Sequence, residues 1–405
     1  MSGTTILISP LNWGFGHAGR MIPLALELKK RGHEVIFGAD ANLLPLIADE
    51  LPGFRLIEIP GLRIRYSRFL PQYLSIFLQL PLVAFHAVRE HYALIRLAEQ
   101  VRPSVIISDN RFGFYHRRIF SVYVTHQLRI PFPRLLRFME PAAAWLHRMI
   151  IRRYDLCLVP DYPGPVNLSG RLSHDIITPG KMHYMGPLSR FRLPEPSVHN
   201  LPLPEPYCCL ILSGPEPQHS LLFKKVVAAL GGTRIVVLSA TPVQTTRKSF
   251  PGVTFIIKPD TGTMRRIILN SSLIITRAGY TSVMELTSLG KGAVLIPAPG
   301  QTEQEYLGDY LNGHHGFVSV RQDKIKGLFH SAASGSITGG YEFHDSAVVT
   351  ESNEMPPAGI DASAAMQESP PAEKAVVAEP AAHPFPDCAT LFEKAIELLL
   401  EQKKE

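Results

Sequence analysis

At 405 residues the chain is long enough for two domains of ordinary size and too long for a lone small module. Its 45% hydrophobic and 19% charged residues mark a globular protein, but 35 prolines exceed what a compact α/β enzyme carries and assign part of the chain to unpacked segments. The net charge of +6 conceals a division: residues 331–386 hold eight acids against Lys374, a net −7, so the remainder stands at +13 and should attract anions.

Cys157, Cys208, Cys209 and Cys388 form no C-x-x-C pair and no zinc spacing, which points to reduced thiols in the cytoplasm and to no metal site. Met1 runs straight into an apolar strand, without the basic start and small-residue cleavage site of a signal peptide.

TTILISP, residues 4–10, is that first strand. Met21, Leu24, Ala25 and Leu28 follow at helical spacing, and Gly32 ends the helix behind Lys29, Lys30 and Arg31, where basic charge suits the C-terminal dipole. Between strand and helix lies LNWGFGHAGRM, in which Gly14, Gly16 and Gly19 have the G-x-G-x-x-G spacing of a dinucleotide-binding turn, with Asp40 further on. In that turn the first Gly closes the strand, because the helix N-terminus must face a pyrophosphate directly. Here Pro10, Leu11, Asn12 and Trp13 intervene, and His17 stands where backbone should approach phosphate. The loop reads instead as main-chain donors and one imidazole turned to a cleft, suited to an acceptor group and a proton to be removed. A loop histidine held by structural hydrogen bonds is the alternative.

EVIFGAD (34–40) completes a βαβ unit, and SVIISDN (104–110) and LCLVPD (156–161) are strands that end in aspartate, Asp109 and Asp161. Phe69–Val88 has twenty residues without a formal charge, the length of a membrane span, but Pro71, Pro81, Gln72, Gln79 and His86 favour a buried or interfacial helix pair. Arg63 to Arg153 contains fifteen arginines, no lysine and only Glu90, Glu99, Asp109 and Glu140 as acids. Its arginines interleave with Phe, Tyr, Leu, Trp and Ile, a make-up that fits an anionic membrane surface or lipid phosphate, or else a solvated basic face. No RRM, KH or helix-turn-helix pattern accompanies the charge, so nucleic acid is not expected.

PLSRFRLPEPSVHNLPLPEP, residues 187–206, is too proline-rich for a helix or central strand and marks a linker. Beyond it strands (YCCLILS, RIVVLSA, TFIIKP, LIITRAG, AVLIPAP, FVSV) alternate with helices near 218–230, 263–269, 281–289 and 302–311, which implies a second parallel sheet. Residues 331–386 lose all periodicity and read as a disordered acidic insertion. An amphipathic helix resumes after it, with Leu391, Ala395, Leu398 and Leu399 on one side, and should dock on the folded body. The expected organisation is α/β: residues 1–186, a linker at 187–206, a second domain at 207–330, the segment 331–386, and a C-terminal helix in 387–405.

Two loops of the second half carry candidate chemistry. ILSGPEPQ (211–218) joins strand to helix, so the N–H groups around Ser213 and Gly214 face where a phosphate would sit, although an ordinary βα turn would look the same. In TRAGYTSVMELTSLGKGAVLIPAPGQTEQEYL (276–307), Glu285 falls in the second turn of a helix and Gln301, Glu303, Gln304 and Glu305 cluster after the next strand. Carboxylates and amides on neighbouring strand ends would hold ribose and hexose hydroxyls, or would be plain helix-end polarity.

GFGHAGR, LSGPEP, TRAGYTSVMEL and PAPGQTEQEYL together resemble the GT-B glycosyltransferases of family 28, the MurG-like group, in a bacterial branch of it. The resemblance covers residues 1–330 and the last helix, with its specific motifs in 8–24 and 207–312. It implies two Rossmann-like domains facing across a cleft, an N-terminal acceptor side and a C-terminal UDP-sugar side. By motif, Glu285 would hold the ribose, Ser213 and Gly214 would line the diphosphate, Arg277, Ala278, Gly279 and Tyr280 would lie by the phosphates, and Gln304 with Glu305 would contact the sugar. His17 matches the family's general base, with Asn12, Gly14, Gly16 and Asp109 on the acceptor side. Gln304–Glu305 stands where MurG has a glutamine pair, Pro215 and Pro217 stiffen the phosphate loop, and Asn12 and Trp13 replace small residues, so the resemblance leaves both the sugar and the acceptor open.

The implied activity is inverting transfer of a hexose or N-acetylhexosamine from a UDP-sugar to a lipid-linked or membrane-associated hydroxyl, without a cofactor, at the cytoplasmic face of the cell membrane. A UDP-sugar 2-epimerase-like enzyme and a non-catalytic GT-B binding protein are the alternatives.

Overall fold

The computed structural model describes residues 3–12, 15–61, 78–174, 181–192, 203, 206–214, 216–243, 250–325 and 387–401; the segment 331–386 and Gly14 lie outside them. Two parallel sheets organise the chain. The first has the order β3-β2-β1-β4-β5-β6-β7, built from Thr5–Pro10 (β1), Glu34–Ala39 (β2), Arg55–Glu58 (β3), Val105–Asp109 (β4), Phe120–Val124 (β5), Leu156–Val159 (β6) and Met182–Tyr184 (β7). The second has the order β10-β9-β8-β11-β12-β13, from Cys208–Leu212 (β8), Ile235–Ser239 (β9), Val253–Ile257 (β10), Leu273–Thr276 (β11), Ala293–Leu295 (β12) and Phe317–Ser319 (β13).

The central strands are apolar on both faces, as a sheet covered on both sides demands. Along β1 the side chains alternate: Ile6 and Ile8 pack with Met21, Leu24 and Leu28 of helix α1 (Phe15–Lys30), whereas Leu7 joins Leu94 of α3 (Leu80–Val101) on the opposite face. The short α2 (Leu44–Glu50) lies between them in sequence, and α4 (Glu140–Ile151) follows β5. In β8, Cys209 and Ile211 share a cluster with Ile267 of α6 (Thr261–Asn270), while Leu210 and Leu212 meet Leu222 and Phe223 of α5 (Gln218–Ala229). Helix α6 is capped by Asp260, which accepts the Thr263 N–H at 2.9 Å.

In each sheet the strand order reverses between the first and fourth strands, and the carboxyl ends there open a crevice. Backbone closes this point tightly in the first sheet, where Leu11 N–H donates to Asp109 O at 2.8 Å.

Three sequence expectations shift. Helix α1 begins at Phe15, so Gly16, His17 and Gly19 are helical and only residues 11–14 separate strand from helix. Pro187–Phe191, expected as linker, is buried: Ser288 Oγ donates to Ser189 Oγ at 2.6 Å and Arg190 pairs with Glu285. Apolar side chains at 188 and 191 explain why this part packs. Of the uncharged stretch 69–88, residues 69–77 lie outside the described residues and 80–88 open α3. No helix among the described residues is long and apolar enough to cross a membrane.

Candidate functional site

His17 lies in the first turn of α1, and Arg20 follows three residues later on the same helix face. Both point at Asp109, the last residue of β4. His17 Nδ1 lies 3.1 Å from Asp109 Oδ2, Arg20 Nε donates to Oδ2 at 2.9 Å, and Arg20 Nη2 pairs with Oδ1. Burial would raise the Asp109 carboxyl, but Arg20 and His17 hold it down at about 2, so it is an anion. Arg20 and Asp109 are fully buried while His17 keeps 19% of its side chain exposed, which leaves its ring within reach of the cleft.

The second domain meets this cluster directly. Helix α7 (Tyr280–Ser288) starts after Gly279, and a Cβ on Gly16 would stand 3.1 Å from Thr281 Oγ1 of its first turn. The N-terminal turns of α1 and α7 thus meet, which brings two positive helix ends together beside Asp109. His126, just past β5, extends the cluster: its Nδ1 is 2.9 Å from Arg20 Nη1 and its Nε2 is 3.0 Å from Glu303 Oε1 of helix α8 (Thr302–Leu311). Burial pushes the His126 imidazolium down, and the Glu303 carboxylate opposes this.

The predicted donor residues are distributed as follows. Ser213 and the exposed Gly214 lie between β8 and α5, and Gly214 takes φ +94°, a conformation open to glycine. Arg277 is buried, bonds to the carbonyls of Gln218 and Ile296 at 2.8 and 3.2 Å, and is lowered to about 10 by desolvation. It ties the two loops together from beneath. Ala278 is buried, and nothing crowds the Cβ position of Gly279. The ring of Tyr280 stacks on His126 and its hydroxyl donates to Pro160 O at 2.7 Å.

Glu285 is buried and accepts from Arg190 Nε at 2.8 Å. Gln304 Oε1 accepts from the Ala298 N–H at 2.9 Å and Glu305 Oε1 from the Gly300 N–H at 2.8 Å, so both brace the loop after β12. Asn12 lies beside Gly61. Among the described residues no three His, Cys, Asp or Glu side chains gather as a metal site.

Sequence reading missed Arg20, His126 and Glu303 as members of the cluster around Asp109. Arg20 was legible once α1 is started at Phe15, because i and i+3 share a face. His126 carries the same signal as Asp109, a polar residue at the carboxyl end of a parallel strand.

Two such sheets facing across a cleft define the GT-B class. Solved structures share this fold: the calicheamicin glycosyltransferase CalG4 (13% identity, TM-score 0.57, 82% of this chain and 90% of that one) and the spinosyn rhamnosyltransferase complexed with thymidine diphosphate (15%, 0.57, 82% and 92%). A protein of Methanosarcina mazei described as an uncharacterized glycosyltransferase is 25% identical over 323 residues, 74% of this chain and 81% of the relative. Residues 238–328 match the glycosyltransferase family 28 C-terminal domain. The chain has the GT-B fold, and within it residues 238–328 are similar to the C-terminal domain of family 28 glycosyltransferases.

Proposed function

We propose that the protein transfers a hexose or N-acetylhexosamine from a UDP-sugar to an acceptor hydroxyl with inversion, and that the acceptor is lipid-linked or held at an anionic membrane surface. The observation that carries the chemistry is the His17–Asp109 contact at the opening between the two sheets. With Nδ1–H donated to Asp109, Nε2 of His17 takes the acceptor proton as the hydroxyl oxygen attacks the anomeric carbon. The bond from that carbon to the diphosphate breaks, and the charge that develops on UDP meets the N-terminus of α7. A 44-residue stretch is 48% identical to a Bacillus thuringiensis transferase named for UDP-N-acetylglucosamine and undecaprenol, which supports a UDP-sugar donor. The donor roles of Ser213, Gly214, Ala278, Gly279, Glu285, Gln304 and Glu305 belong to this reading.

The exposed face of α3 supports the membrane. Leu78, Leu82, Phe85, Arg89, Tyr92 and Arg96 recur at i+3 or i+4, all are exposed, and the apolar members lie toward its N-terminal end. Phe138, Trp145 and Leu146 are exposed after β5, with Arg137, Arg152 and Arg153 nearby in sequence. The test is UDP release across a panel of UDP-sugars with membrane extract as acceptor source. One donor should give extract-dependent release, and His17→Ala should reduce it by roughly 10²-fold or more, the contribution of a positioned base. Extract-independent behaviour with every donor, or full activity of the variant, would contradict the reading.

A further inference from the structure

The segment that joins the two domains reaches into the donor side. Residues 187–191 are pinned to α6 and α7: the Leu188 N–H donates to Met284 Sδ at 3.1 Å, Ser288 Oγ donates to Ser189 Oγ at 2.6 Å, and Arg190 Nη2 lies 3.0 Å from Met264 Sδ. The Arg190 guanidinium also lies over the Phe191 ring, 5.2 Å from its centroid. The arginine is therefore held in place by the protein itself.

From that position Arg190 Nε donates to Glu285 Oε1 at 2.8 Å, and only 8% and 9% of the two side chains are exposed. A carboxylate this buried needs a counter-charge to stay an anion, and Arg190 provides it. The other oxygen, Oε2, takes no hydrogen bond from the described residues, yet it is not one of the atoms sealed from solvent. One oxygen is occupied and the second is free to accept.

We propose that Arg190 is a positioning residue for nucleotide recognition: by holding Oε1 it keeps the Glu285 carboxylate charged and presents Oε2 to a ribose hydroxyl. The site then selects a nucleotide that carries this hydroxyl, because an ionised acceptor makes the stronger hydrogen bond and is left bare when the hydroxyl is missing. Arg190 acts through Glu285 and not on the nucleotide. This rests on Glu285 as the ribose-binding group, which the same titrations test separately.

The experiment is isothermal titration calorimetry of the full chain with UDP, 2′-deoxy-UDP and 3′-deoxy-UDP. The wild type should bind one of the analogues roughly tenfold or more weakly than UDP, the loss of a hydrogen bond to a charged group. Glu285→Leu should abolish that preference. Arg190→Met and Arg190→Gln both remove the charge, the second keeping a polar group in place, and whichever folds should bind the analogue as well as it binds UDP. Arg190→Lys returns a cation opposite Glu285 and should restore the preference. A general loosening of the fold would weaken all three nucleotides alike and leave their ratio unchanged, which separates positioning from mere support. A wild type without any preference removes Glu285 from the ribose, and the proposal falls with it. A wild-type preference that Glu285→Leu loses but the charge-removing Arg190 variants keep, or that Arg190→Lys fails to restore, overturns the role of Arg190 alone.

Discussion

His147 shows how burial alone sets a side chain's chemistry. Its Nδ1–H donates to Leu128 O at 3.2 Å and its ring meets Tyr123 and Phe112 edge-on, and desolvation pushes it down to about 4. The native state thus holds the neutral ring, while the unfolded chain takes up a proton near its ordinary value of about 6.5. Stability from this residue is present above that value and lost as pH falls toward 4, at up to about 1.4 kcal/mol per pH unit. Urea unfolding from pH 7 to 4 should give a shallower slope for His147→Gln than for the wild type; equal slopes would refute the assignment. Asp109 is the opposite case, a buried carboxyl kept charged because Arg20 supplies the counter-charge. Its place at a strand end was legible in the sequence, but its partner was not, since the start of α1 was read six residues late.

At the scale of elements, α3 departs from the usual amphipathic pattern. Leu94 and Ala98 face the sheet, whereas Phe85 and Tyr92 are 58% and 62% exposed on the outer face. Exposed apolar groups beside arginines are favourable at a lipid headgroup boundary, where burying one such side chain contributes about 1.5–3 kcal/mol. The double variant Phe85→Ser/Tyr92→Ser should sediment with phosphatidylglycerol vesicles at least roughly tenfold less well, with its melting temperature unchanged. Equal sedimentation would show that the stripe does not contact lipid. The sequence made the arginine and apolar content of 63–153 visible, but which side of the helix meets water depends on the sheet behind it.

Across the whole molecule, the C-terminal helix α9 (Cys388–Glu401) returns to the first domain. It buries Cys388, Ala395, Ile396 and Leu399, and Glu393 pairs with Arg31, the residue after α1. Gly170, at φ +52°, marks another crossing between halves: a Cβ there would stand 2.3 Å from Tyr306 Oη. Truncation after residue 386 exposes the apolar bed of α9, and the main calorimetric transition should fall by roughly 5 °C or more. A transition unaltered by the truncation would mean that the docked helix adds nothing to stability.

Four strands of the first sheet, the strand–helix alternation of the second and the two-sheet plan followed from the sequence, whereas β3, β5 and β7 did not; parallel strands buried on both faces and the turns between them leave local signatures of hydrophobicity, glycine and charge, which the short edge strands β3 and β7 lack. Only the tertiary structure decided which groups meet. Arg20 and Asp109 are 89 residues apart, and His126 and Glu303 are 177 apart in different domains. Such pairings arise from where strand ends come together, and no local pattern encodes them. The same holds for Gln304 and Glu305, whose carbonyl and carboxylate oxygens accept from their own loop, and for Glu285, which is neutralised by an arginine from a segment that reads as linker.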